Sequence, residues 1–80
     1  MTGTTREIPF RDIPAEQRFL LLVASGVETA TATREAEDME HAVRQLLALG
    51  IETGIDGSIA FLCEFVLETA SALRRSTAPT

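Results

Sequence analysis

Eighty residues, with twelve acidic side chains against seven arginines, no lysine and a net charge of −5, set narrow limits. One domain with a thin core is all this length supports, since a chain of 8.7 kDa buries only about 60% of the surface its unfolded form exposes. The acidic balance argues against nucleic acid and anionic lipid as partners, and a single cysteine excludes both an intramolecular disulfide and a cysteine-based zinc site.

Residues 1–5 are small and polar and read as a flexible tail, residues 6–75 as the folded domain, and residues 76–80 as a second tail. Arg6 to Ile13 is an extended, proline-containing segment whose Ile8, Phe10 and Ile13 can lie across a helix. If this segment forms a short edge strand, Ile51 to Ile55 is its candidate partner. Pro14 suits a first helical turn, and Phe19, Val23, Val27 and Ala30 then share one face of a first helix over about 14–31, from which Leu21 and Leu22 project.

The run Thr29 to Thr33 is rich in β-branched residues, which lowers helix propensity. It predicts a break there, with Thr33 capping a second helix over 34–49; a continuous helix from Pro14 to Leu49 is the alternative. Met39, Val43, Leu46, Leu47 and Leu49 form the apolar side of that helix. Leu49-Gly50-Ile51 has the form of a helix C-terminus with glycine in the left-handed position. Gly54, Asp56 and Gly57 mark a turn, and Asp56 or Ser58 caps a third helix over 58–75. The fold class expected is therefore all-α: three helices after an extended N-terminal segment, completed by helix packing in a homodimer.

That third helix is the most informative stretch. Projected at 100° per residue, Glu64, Glu68, Ser71 and Arg75 fall in one narrow polar strip, and apolar side chains take nearly all the rest. Such a helix needs neighbours on several sides, more than one small chain readily supplies. Phe61, Leu62, Phe65, Val66, Leu67 and Leu73, with Leu21 and Leu22 of the first helix, are the candidate interface residues. Ala60, Cys63, Ala70 and Ala72 are small enough to permit close helix approach. The function this implies is association, as a homo-oligomeric subunit, adaptor or regulator without catalytic activity; a larger protein partner is the other possibility.

A metal centre is the second reading. Asp38 and His41 lie three apart on one helix, and Glu64 and Glu68 four apart on another, spacings that place each pair on one helical face. The string Glu37-Asp38-Met39-Glu40-His41-Ala42 resembles the Glu-x-x-His motif of ferritin-like proteins, with Asp38 in place of the glutamate. That resemblance implies iron, manganese or zinc held by Asp38, His41, Glu64 and Glu68 across a dimer. Against it, His41 projects to the polar side of its helix with Arg44 and Gln45.

Gly54-Ile55-Asp56-Gly57-Ser58-Ile59 resembles the Asp-Ser-Leu attachment site of acyl and peptidyl carrier proteins, which implies modification at Ser58. Gly57 separates the acid from the serine, and too little chain follows for the carrier fold. One His and one Cys, with no tyrosine, offer little for catalysis, and no cofactor is expected on the main reading. Glu7, Asp12, Glu16 and two prolines before the run Phe19 to Val27 argue against a secretion leader. No uncharged apolar run reaches the ~18 residues that span a bilayer. A cytoplasmic chain from a GC-rich bacterium, given the absence of Lys and Asn, is the expectation.

Overall fold

The computed structural model describes residues 3–78; the parts of the two expected tails at Met1, Thr2, Pro79 and Thr80 lie outside them. A β-hairpin comes first, with strands β1 (Ile8–Ile13) and β2 (Arg18–Val23) joined through one 3-10 turn at Pro14–Glu16. Two long helices follow, α1 (Thr29–Thr53) and α2 (Gly57–Thr77). The fold is thus a hairpin followed by a helical pair, and the expected all-α, three-helix architecture does not form.

The first expected helix, 14–31, is where the expectation fails. Pro14 does open a helical turn, but Gln17 adopts the left-handed conformation (φ 54°), its N–H donating to the Pro14 carbonyl at 3.1 Å. This reverses the chain into an antiparallel partner for β1, in the register Ile8↔Val23, Phe10↔Leu21 and Ile13↔Arg18. Arg18-Phe-Leu-Leu-Leu-Val is uniformly apolar after its first residue, and periodicity does not separate a strand from a helix in so short a run. The extended segment Arg6 to Ile13 does contain a strand, over Ile8–Ile13, but its partner is β2; Ile51 lies inside α1.

The second correction concerns α1. It begins at Thr29 and passes through the threonine run without a break, so neither a cap at Thr33 nor a continuous helix from Pro14 occurs. It also passes Gly50 and stops at Gly54, whose φ of 82° and N–H donated to the Gly50 carbonyl at 2.8 Å end the helix. A hydrophobic residue does fold back on the last turn, but it is Ile55: a methyl group placed on Gly50 would sit 2.3 Å from Ile55 Cγ1. Gly50 is the surface against which Ile55 closes the turn. Of the two caps expected for the last helix, Asp56 takes the role, its Oδ1 accepting from the Ile59 N–H at 2.9 Å.

The helices α1 and α2 pack antiparallel through small side chains. Ala32, Ala36 and Val43 on α1 and Cys63 and Ala70 on α2 are buried, at spacings of four and seven that keep each set on one face. The small residues of the last helix therefore close an intrachain seam. A second cluster holds the hairpin to the other side of α2: Phe10, Val23 and Ala72, with Ile8, Phe65 and Leu73 against them. Two hydrogen bonds tie β1 and the residues leading into it to α2, from the Arg6 N–H to the Ser76 carbonyl at 3.0 Å and from the Arg11 N–H to Glu68 at 3.0 Å. The described part of the N-terminal segment is bonded too. Thr4 bridges Glu28, and Thr5 is buried with its hydroxyl donating to the Ala24 carbonyl and accepting from the Val27 N–H.

The result is flat. The chain measures 44 × 36 × 15 Å, the short dimension being scarcely more than one helix diameter of about 10–12 Å. Its Cα radius of gyration, 14.5 Å, exceeds the roughly 11.6 Å expected of a compact chain of this length.

Candidate interaction surface

A slab one element thick has no interior for large side chains, and the core shows it. Among the described residues, the buried apolar ones apart from Phe10, Val23 and Val43 are alanines and Cys63, whereas fourteen large hydrophobic residues are exposed. They include Leu21, Leu22, Phe61, Leu62 and Leu67 from the expected interface. Phe65, Val66 and Leu73 of the same set are half-buried, and Phe65 and Leu73 contribute to the hairpin cluster.

The longest exposed stretch was not in that set. From Arg44 to Leu62 no residue is buried, because the hairpin packs along α2 from about Phe65 onward, with only the Arg11 side chain reaching Phe61, and leaves the far end of the helical pair without a third element. Leu46, Leu47, Leu49, Ile51, Ile55 and Ile59 are all exposed there, Ile51 at 86% and Leu49 at 62%. The signal was present in the sequence. Leu46, Leu47 and Leu49 fan across about 160° of helix, wider than the alanine-lined seam that α1 presents to α2.

The second exposed stretch is β2, where Phe19, Leu20, Leu21 and Leu22 are all at least 37% exposed. Pro9 lacks an N–H and Arg11 donates its own to Glu68, so at both positions β1 directs its backbone away from β2. Opposite them, Leu22 and Leu20 sit where an antiparallel ladder points main-chain groups outward.

Two broad faces of the slab differ in character. An open groove of about 310 Å³ marks one of them, between hairpin and helices; its lining includes Phe10, Leu22, Val23, Met39 and Leu73, with Glu35 as its one carboxylate. The ion pair between Glu40 and Arg74, two hydrogen bonds of 2.8 Å, marks the other. On that side Arg74 holds the Glu40 carboxyl below its ordinary range, chiefly by hydrogen bonding.

The residues proposed from sequence for a metal do not gather within one chain. Asp38 and His41 are exposed together on α1, and Glu64 is exposed on α2. Glu68 is engaged instead by Arg11, whose guanidinium approaches to 2.7 Å. Those hydrogen bonds hold the Glu68 carboxyl below the ordinary carboxylate range. Among the described residues, no three His, Cys, Asp or Glu side chains are placed to share a metal ion. Ser58 is exposed in the first turn of α2 beside the Asp56 cap.

Arg11 shows how the hairpin is locked. It is a non-glycine residue at φ 63°, a conformation costing roughly 1–2 kcal/mol. The same twist turns its N–H to Glu68 and lays its guanidinium 5.1 and 5.2 Å from the rings of Phe61 and Phe65. Phe61, Phe65 and Glu68 follow one another at i, i+4 and i+7, so one face of α2 receives the whole side chain.

Comparison with protein-family models, with curated proteins and with solved structures finds no match for this chain. The exposed hydrophobic residues form an interaction surface, and no helix among the described residues is long and apolar enough to cross a membrane.

Proposed function

We propose that this chain is a small non-catalytic association protein whose first partner is a second copy of itself. One observation carries the reading. The chain exposes 5773 Å², about 1,000 Å² more than the roughly 4,700 Å² a compact chain of 8.7 kDa presents. A standard protein interface covers about 800 Å² on each partner, so the excess is of the size that one dimer interface removes.

The chemistry of the surface agrees with this reading. Each large aliphatic or aromatic side chain left in water forgoes roughly 1.5–3 kcal/mol, and a small domain has only about 5–10 kcal/mol of net stability to draw on. Oligomers are most often twofold homodimers. Sedimentation equilibrium at micromolar concentration tests the proposal: a mass of two chains supports it, and a single-chain mass across the whole concentration range removes it.

A further inference from the structure

Resting on that reading, we infer which face the second copy covers: the broad face that carries the groove, through the far ends of both helices. The groove identifies the face at the base of the slab, where Met39, Thr69 and Leu73 line it. Counting by sevens and threes from these residues keeps to the same side of a helix. From Met39 the series reaches Leu46 and Leu49. From Thr69 it runs back to Val66 and Leu62, and from Leu73 to Val66 and Ile59.

From the hairpin to the tip this face carries Met39, Leu46, Leu49, Ile59, Leu62 and Val66, with Glu35 in the groove and Gln45 and Glu52 beside Leu49. The opposite face has another composition. The Glu40–Arg74 pair lies on it, and Leu47 and Ile51 each fall about 20° from Glu40 around α1, Ile51 also about 20° from Arg44. Ile51 is the most exposed large hydrophobic residue among those described, at 86%, yet it lies on this charged side.

A second copy of the chain is the occupant that fits this face. The area to be covered is about that of one dimer interface, and two slabs of 15 Å laid face to face make a body of ordinary globular thickness. Helices α1 and α2 of one chain over those of its partner form four packed helices, with the Leu46, Leu49 and Leu62 side chains between the layers.

Leu49 and Ile51 are two residues apart and lie on opposite faces, which gives a direct test. Sedimentation equilibrium on the full chain is compared for Leu49→Glu, Leu62→Glu and Ile51→Glu, with circular dichroism as a check on folding. Leu49 and Leu62 are more than half exposed, so neither glutamate enters the core of a single chain. The expected result is a helical single chain for L49E and L62E, with a dissociation constant raised at least a hundredfold, and an unchanged dimer for I51E.

If I51E dissociates while L49E and L62E remain dimers, the dimer stands but the assigned face is wrong. If the unaltered chain is a monomer at all concentrations, both the dimer and this face fall. The unaltered chain is also floated with neutral phosphatidylcholine vesicles: monomeric protein recovered with the vesicles overturns the proposal in favour of a lipid surface.

Discussion

Arg11 and Glu68 join the hairpin to α2 by an ion pair, a main-chain hydrogen bond and two aromatic contacts, all depending on one left-handed residue. Glu68 and Glu40 both titrate below the ordinary carboxylate range because arginines donate to them. For a group whose folded pKa is depressed, the unfolded chain binds more protons between the two values, so stability rises with pH across that window. The contribution is complete above the unfolded value near 4.3 and disappears as pH falls through the folded one. Thermal unfolding followed from pH 7 to pH 3 is expected to show a steep fall in Tm below about pH 4.5. E68Q is expected to lower Tm at pH 7 by several degrees and to flatten that fall. An E68Q profile parallel to that of the unaltered chain would mean that Glu68 does not couple the hairpin to α2.

Gly54 is the other residue whose backbone decides something. At φ 82° and ψ 167° it occupies a region open almost only to glycine, where a side chain costs about 1–3 kcal/mol. G54A is expected to lose about that much in urea denaturation at fixed protein concentration. The same change at Gly57, where added carbon meets nothing within 4 Å and φ is ordinary, is expected to be nearly neutral.

Among the elements, α2 was the most legible in the sequence. Asp56 as a cap, a nearly complete apolar circumference and Arg74 and Arg75 at the C-terminal end all point to the same helix, and Ser76 and Thr77 extend it. The hairpin was not legible as such. Phe19, Val23 and Val27 fit a helical stripe and a fully apolar strand equally well, and the deciding feature is conformational, a glutamine rather than a glycine in the left-handed position. Nor was the length of α1: threonines at its start and Gly50 inside it weaken helix formation locally, but the alanine seam with α2 outweighs them. Which large residues stay exposed was half legible. Phe61 and Leu62 stand exposed, whereas Phe65 turned inward because the hairpin, absent from the expected fold, covers it.

The edge strand β2 bears its own prediction. It has no proline, no lysine and no bulge, the features by which edge strands avoid pairing with other chains. L20K is expected to raise the concentration at which the protein stays soluble while leaving the dimer mass unchanged, as judged by turbidity and sedimentation on one sample. A loss of the dimer in L20K would place the interface at the sheet edge.

At the scale of the whole molecule, the small residues that make the core also make it thin. Ala32, Ala36 and Ala70 bring the helices close, and the large residues are left to the two faces. On the proposed arrangement, a second copy against the groove face would turn two thin layers into one body with a thicker interior. Small-angle X-ray scattering of the unaltered chain tests this most directly, because it reports mass and shape together. The account predicts a particle of twice 8.7 kDa whose short dimension is about twice that of the single chain. A single-chain mass with the 14.5 Å radius of gyration of the monomer, or a dimer elongated edge to edge, would contradict it.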